Sequence, residues 1–316
     1  MSLTFDSARI PNPHLTEDHL AWRDALRRFV DKEIMPYAED WDEAGHIPIA
    51  LWPKAAEVGL LGAGYPEQYG GMETDSWHSW IINEELSRVG VGGLSASLMV
   101  HGIGLPPVIN WGTEAMKAEI APPVLRGESW ISLGITEPGG GSDVASLQTT
   151  AVRDGDHYIV NGSKTYITGG MRANYVSTAV RTGGDGATGV SMLLIPTDAE
   201  GFSRTALDKK MGWWASDTAT LYFDNVRVPV SNLIGQENQG FRVIMTNFNS
   251  ERMGMAAAME AYGRVCLEEA VNWARERQTF GKRLADHQVI RHKIAMMKQK
   301  LNATQAYIRI CYEAIE

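Results

Sequence analysis

The chain has 316 residues, 44% of them hydrophobic and 21% charged, with a net charge of −9 at pH 7. That length and apolar content can build two or three domains around real cores, which excludes a disordered protein. The acidic balance, offset by no Lys/Arg block, argues against a nucleic-acid surface, and no window approaches the roughly 18 uninterrupted apolar residues of a membrane span.

Residues 1–13 lack a basic segment followed by an apolar core, so no secretory signal is expected. The first third reads as helices. Thr16 caps a segment with Glu17 and Asp18 in its first turn, and Leu26, Phe29, Val30 and Ile34 recur at helical spacing until Pro36. Further helices are expected over 49–58, ending at Gly59, and over 77–89, ending at Gly90. The pattern continues over 94–108 and 114–125.

From Trp130 the texture changes to strands. Asp154-Gly155 separates 149–152 from 157–160 as a hairpin, and Asn161-Gly162 reads as another turn. Residues 190–195 form an apolar run, and 218–228 alternate Ala219, Leu221 and Phe223 against polar neighbours before Pro229. Gly183 to Gly186 reads as a flexible hairpin tip.

After Gly240 the chain is helical again. Ile290, Ile294, Met297, Leu301, Thr304, Ile308, Cys311 and Ile315 are spaced 4-3-4-3-4-3-4, the seam of an antiparallel bundle, and they read as core. The pattern reaches Glu316 with no stop signal, so partner helices beyond it are expected. Cys266 and Cys311 sit in helical patterns outside Cys-x-x-Cys spacing. They read as small buried hydrophobes of a reducing compartment, not as a disulfide or metal pair.

The stretch richest in chemistry is Leu133-Gly134-Ile135-Thr136-Glu137-Pro138-Gly139-Gly140-Gly141-Ser142-Asp143. A short apolar run stops at Thr-Glu-Pro and opens into three glycines, which let backbone pass close to a bulky partner, with hydroxyls at the rim. No Lys follows as in a phosphate loop, and no helix pattern opens behind it as in a dinucleotide fingerprint. Taken alone, such a run is more often a turn than a binding loop.

The run resembles the Thr-Glu-Pro-x-x-Gly-Ser-Asp signature of the acyl-CoA dehydrogenase flavoproteins. Tyr166-Ile167-Thr168 is similar to that family's Trp/Tyr-Ile-Thr flavin contact. Gln278-Thr279-Phe280-Gly281-Lys282, followed by His287-Gln288, resembles its second signature. The three stand in the family's order, and the resemblance covers the whole chain. It implies an α+β multidomain fold: an N-terminal helical domain over 1–129, a middle β-barrel or sandwich domain over 130–234, and a C-terminal helical bundle over 235–316.

The resemblance further implies FAD, with flavin contacts at Leu133, Ile135, Thr136, Gly141, Ser142, Tyr166, Ile167 and Thr168. Here Tyr stands where many relatives have Trp, a change that keeps an aromatic face. Arg277, Gln278, Thr279, Phe280, His287 and Gln288 would reach FAD held by a neighbouring subunit, which implies a homo-oligomer, dimer or tetramer. No metal is expected. Ser142, Asn249 and Arg252 would meet the acyl-CoA substrate, and electrons would pass to an electron-transfer flavoprotein.

The reaction also needs a carboxylate at the substrate α-carbon. Most of the family places this Glu near the C-terminus. A branch acting on long-chain or branched acyl groups places it in the helix that opens the C-terminal domain, before an Arg. That motif reads Phe248-Asn249-Ser250-Glu251-Arg252 here, with Asn249 where many relatives have Asp, so Glu251 is the expected base. Glu-Arg early in a helix is also ordinary for dipole and solubility reasons. Small residues over Gly92-Gly93-Leu94-Ser95-Ala96-Ser97 would deepen an acyl pocket, or else serve close helix packing.

The expected activity is FAD-dependent α,β-dehydrogenation of an acyl-CoA to a trans-2-enoyl-CoA, as in fatty acid β-oxidation, with flavin N5 accepting the hydride. The expected location is the bacterial cytoplasm or the mitochondrial matrix. An oxidase or flavin monooxygenase of the same fold, and a non-catalytic assembly member, are the alternatives.

Overall fold

The computed structural model describes residues 3–315, the side chain of Ser250 excepted. The chain divides into two compact units, one of Met1–Met35, Thr74–Gly90 and Arg252–Glu316, the other of Pro36–Glu73 and Val91–Glu251.

The first unit is helical. Helix α1 (Glu17–Glu33) begins at Thr16, whose side chain accepts from the His19 amide while the His19 ring accepts from the Thr16 amide. Its inner face buries Leu26, Phe29 and Val30, as their spacing requires. The rest of the unit comprises α4 (Ser76–Ser87), the C-terminal part of α9 (Gly240–Glu276) and α10 (Gln288–Glu313). Trp77, Trp80, Ala257, Ile308 and Tyr312 form its apolar centre. Beside this centre Glu84 and Arg264 are fully buried and paired at 2.5 Å. Burial pushes the Glu84 carboxyl up, but Arg264, Arg9 and Arg23 together hold it below the ordinary range.

Two expectations need correction in this unit. The seam of α10 is not uniformly core: Ile308 is buried, Ile290, Ile294, Met297, Leu301 and Cys311 are half-buried, and Thr304 and Ile315 are exposed. The buried face instead runs through Gln305, Ile308 and Tyr312, where the helix meets Trp77 and Trp80. Nor are the cysteines buried hydrophobes. Cys266 of α9 is exposed, and Cys311 of α10 is half-buried, off the face that carries Gln305, Ile308 and Tyr312.

The second unit carries α2 (Ala38–Ala44), α3 (Leu51–Glu57), α5 (Gly92–Leu98), α6 (His101–Gly104), α7 (Pro106–Trp111), α8 (Glu114–Leu125), the first turns of α9 and the β domain. The expected single helix over 94–108 is three short ones. Gly104 packs so closely on β1 that a Cβ there would stand 2.7 Å from the Ile131 carbonyl oxygen, and Pro106 opens α7. No single helix among the described residues is long and apolar enough to cross a membrane.

The β domain comprises β1 (Ile131–Gly134), β2 (Thr150–Asp154), β3 (His157–Thr168), β4 (Tyr175–Arg181), β5 (Val190–Pro196), β6 (Phe202–Ala206), β7 (Thr218–Pro229) and β8 (Leu233–Ile234). The strand order is β6-β7-β3-β2-β4-β5-β8, with β1 added parallel to β4. A single register pair, Thr150 with Arg181, joins the two halves. Side chains from β3 and β7 (Tyr158, Val160, Leu221, Phe223) share one core with those from β4 and β5 (Val176, Val180, Leu193, Ile195). Asp154-Gly155 is the β2–β3 hairpin turn, with Gly155 at φ 62°. Asn161-Gly162, expected as a turn, lies inside β3. Gly162 marks a bulge against β7, where a Cβ would stand 2.8 Å from the Thr149 Cα.

A second core lies where α7, α8, β1, β4, β5 and the start of α9 converge, with Val108, Ile120, Ile131, Met192 and Ile244 at its centre. Leu133 of β1 and Phe248 of α9 both pack on its margin, which places the end of β1 and the early turns of α9 on one hydrophobic body.

Candidate active site

The glycine-rich run leaves β1 and is fixed from beneath by polar contacts. Lys164, buried in β3, donates to the Ile135 carbonyl at 3.1 Å and to Glu137 Oε1 at 2.7 Å. The Glu137 carboxylate also accepts from the amides of Gln148 at 2.6 Å and Thr149 at 2.8 Å. Burial raises the Glu137 carboxyl, but Lys164 and these donors outweigh it and hold it below the ordinary carboxylate range. Burial pushes the Lys164 ammonium down to about 8, with Glu137 partly offsetting the effect. The Thr165 amide donates to the Thr136 carbonyl at 2.8 Å, and Ser132 Oγ donates to the Thr168 carbonyl at 2.8 Å. Leu133, Thr136, Tyr166 and Thr168 are thereby brought to one edge of the β domain.

Beyond Pro138 the run turns back on itself, Glu137 and Gly140 exchanging backbone hydrogen bonds of 3.0 and 3.1 Å. The next turn is held by the Arg181 guanidinium, which donates to the carbonyls of Ala145 and Leu147 and, on its other side, to those of Gly184 and Gly186. The Gly183–Gly186 tip is therefore pinned rather than loose.

Two observations test whether this edge suits a flavin. A Cβ at Gly139 or Gly140 would meet no protein atom within 4 Å, and neither glycine has positive φ. The protein's own packing does not demand these glycines, and their bare backbone leaves room for close approach of a planar ligand. Tyr166 sits at the β3–β7 irregularity with φ 60°, a left-handed conformation costing roughly 1 kcal/mol or more for a non-glycine residue, and the residue is 65% exposed. A strained, exposed aromatic beside threonine hydroxyls offers a flat apolar wall with polar rim groups, and a flavin ring fits that chemistry.

The sequence-derived residues divide by what each can offer. Thr136 and Thr168 are half-buried and Gly141 and Ser142 exposed, all accessible for polar contact. Ile135 and Ile167 turn their side chains into the cores, so only their backbone can reach a ligand. Leu133 is half-buried.

Glu251 lies four residues after Asn247 in α9. Its Oε1 accepts from Asn247 Nδ2 at 2.7 Å, and the same nitrogen donates to the Ile103 carbonyl at 3.1 Å. Asn249 and Arg252 are exposed on the same helix. Asn247 carried no motif in the sequence; it is a polar residue buried next to the apolar Val243 and Ile244 in the first turns of α9.

The small residues Gly92 and Gly93 serve close packing. A Cβ on Gly92 would stand 2.5 Å from Trp213 Nε1, and one on Gly93 would stand 2.8 Å from the Trp213 carbonyl carbon. Trp213, at φ 59°, thus occupies the space that these glycines leave.

The second cluster belongs to the other compact unit. Helix α9 ends at Glu276, and β9 (Gln278–Thr279) and β10 (Lys282–Arg283) form a two-residue hairpin with Phe280 at φ 52° and Gly281 at φ 73°. Phe280 is 96% exposed at its tip. Thr279 Oγ1 lies 3.2 Å from His287 Nε2, while Arg277, Gln278 and Gln288 are exposed. The hairpin thus brings Thr279 to His287, the residue that precedes α10.

Among the described residues, one group of three potential metal ligands lies together: His19, Asp75 and His78. Its hydrogen bonding is that of two coupled helix caps. His19 Nδ1 accepts the Thr16 amide at 3.0 Å, so Nε2 carries the proton and donates to Asp75, which itself caps α4 through the His78 amide at 3.1 Å.

Comparison with known proteins agrees with this geometry. Models of the acyl-CoA dehydrogenase N-terminal, middle and C-terminal domains match residues 16–128, 132–226 and 238–316. The rat mitochondrial long-chain specific acyl-CoA dehydrogenase is 34% identical over 304 residues, covering 95% of this chain and 70% of its own. A crystal structure of a probable acyl-CoA dehydrogenase from Mycobacterium abscessus is 46% identical with a TM-score of 0.92, covering 95% of this chain and 80% of that one. A glutaryl-CoA dehydrogenase from Mycobacterium smegmatis, solved in complex with FADH2, is 28% identical with a TM-score of 0.88, covering 95% and 76%. With helical, β and helical domains matched in order and the signature loop built as described, the chain belongs to the acyl-CoA dehydrogenase family.

Proposed function

We propose that the protein is an FAD-dependent acyl-CoA dehydrogenase in which Glu251 takes the substrate α-proton. The observation that carries this reading is the Glu251 carboxylate, held at 2.7 Å by Asn247 on a helix whose Phe248 packs on the same core as Leu133 of the flavin-loop strand. Thr136, Ser142, Tyr166 and Thr168, with the backbone of Ile135 and Ile167, would hold the flavin. When bound, FAD supplies the acceptor for the β-hydrogen and its electron pair. Glu251 breaks the α C–H bond by accepting the proton, and the electron pair left on carbon forms the α,β double bond. Base placement in α9, together with the long-chain relative, supports a long-chain or branched acyl group.

The same reading extends to assembly and partners. Arg277, Gln278, Thr279, Phe280, His287 and Gln288 would complete the cofactor site of a second copy, making a homo-oligomer, and an electron-transfer flavoprotein would reoxidise the enzyme. The nearly fully exposed Phe280, in a left-handed conformation, supports a covered hairpin tip. Bacterial cytoplasm or mitochondrial matrix suits such a partner.

Anaerobic titration of the purified flavoprotein with acyl-CoAs of graded length tests the reaction: the flavin band should bleach, and reoxidise slowly in air. Fast reoxidation would point to an oxidase instead. In Glu251→Gln the substrate should bind with the flavin unbleached, since losing a general base costs ~10²–10⁴ in rate. Bleaching at the wild-type rate would remove Glu251 from the role.

A further inference from the structure

We infer that Asn247 is a positioning residue for the base, fixing the direction of the Glu251 carboxylate and tying it to the strand that presents the flavin loop. The inference rests on the reading of Glu251 as the base. Asn247 is only 5% exposed, and its Nδ2 faces two acceptors, Glu251 Oε1 at 2.7 Å and the Ile103 carbonyl at 3.1 Å. Both amide hydrogens are committed. The opposite amide orientation would set Oδ1 against a carboxylate oxygen and a carbonyl oxygen, so the surroundings dictate which end of the amide faces them.

The second acceptor makes this more than a helical i,i+4 pair. Ile103 lies in α6, whose Gly104 carbonyl accepts from Ser177 Oγ of β4 at 2.7 Å, and whose Gly104 backbone abuts Ile131 of β1. A path of direct contacts therefore runs from Glu251 through Asn247 and α6 to β1, the strand that continues into Thr136. A carboxylate anchored only to its own helix could sample several rotamers. One tethered to α6 is held in register with the ring site, and placement is the first demand on a general base. The amide does this without introducing a competing charge, and its donated hydrogen bond favours the ionised, proton-accepting carboxylate.

The test isolates the proton step. A 3-thia-acyl-CoA has no hydrogen on the β-position and cannot be dehydrogenated, so exchange of its α-hydrogens into D2O, followed by NMR, reports on the base alone. In FAD-loaded Asn247→Leu, exchange at pH 7 should fall about tenfold or more, as expected for a lost hydrogen bond to a charged group. Affinity for the acyl-CoA should stay within about twofold of wild type, and the rising limb of the pH–rate profile should move to higher pH. Asn247→Asp, of nearly the same size, places a second carboxyl beside the first and should move the limb further in the same direction. It decides the matter if the Leu variant fails to fold. Superimposable pH profiles for wild type and the folded variant, or a loss confined to affinity, would overturn the inference. Glu251→Gln in the same assay separates the two readings. Exchange at the wild-type rate there would sink the base assignment, whereas loss there with normal exchange in the Asn247 variants would sink only the role of Asn247.

Discussion

Lys164 Nζ stands 2.7 Å from Glu137 Oε1 and 3.1 Å from the Ile135 carbonyl, so a single buried ammonium holds both neighbours of Thr136. Removing one partner of such a pair strands the other charge away from water. Lys164→Met should therefore cost about 3–5 kcal/mol in denaturant unfolding and lower the flavin content of the purified protein. The double variant Lys164→Met/Glu137→Gln leaves no stranded charge and should recover part of the stability. A single variant as stable as wild type, with full flavin, would show that the pair does not hold the loop.

Thr136 and Thr168 are each held through their carbonyls, and both residues are half-buried. The Thr136→Val/Thr168→Val pair keeps side-chain shape and removes both hydroxyls. Each lost hydrogen bond contributes on the order of 1 kcal/mol, so flavin should dissociate more readily on dilution or mild chaotrope treatment. Unchanged occupancy and redox potential would move the ring contacts to the backbone alone.

The sequence carries those features that local residues alone decide. The hairpin at Asp154-Gly155 and the cap at Thr16 are written in local residues, and so is the Thr-Glu-Pro run. What it did not reveal was tertiary. Lys164 has no local signature, because its partner Glu137 lies 27 positions earlier. Asn161-Gly162 has turn chemistry, yet crowding against Thr149 uses that glycine for a bulge inside a strand. The α10 seam obeys its heptad spacing, but the face that meets Trp77 and Trp80 is set by which residues oppose it. Asn247 had no local signature, since its second acceptor is a carbonyl 144 positions away.

Gly92 and Gly93 separate two readings of one stretch, a deep acyl pocket or close packing. A methyl at Gly93 would meet Trp213 backbone at 2.8 Å, which cannot give way without moving the loop. A methyl at Gly92 would meet the indole at 2.5 Å, and that ring can swing aside. Gly93→Ala should then lose about 1–3 kcal/mol of stability, the ordinary cost of overpacking, with Gly92→Ala losing less. Equal stability in both variants, with preference shifted to shorter acyl chains, would restore the pocket reading.

His101 makes the fold sensitive to acid. It is 5% exposed, with Nε2 3.0 Å from the Leu61 carbonyl. Burial pushes its imidazole down to about 4 from an ordinary 6.5, the carbonyls of Leu61 and Leu98 offsetting only part of that. Between those values the unfolded chain binds the proton and the folded chain does not. The stabilising contribution is therefore complete above pH 6.5 and drains away as pH falls towards 4, amounting to about 3 kcal/mol at the lower end. His101→Gln keeps an N–H donor for Leu61 but does not titrate. Its unfolding free energy, followed from pH 7 to 4, should lose less than the wild-type value by about that amount. Parallel curves for the two proteins would mean that His101 becomes charged in the folded state without penalty, and that the acid sensitivity arises elsewhere.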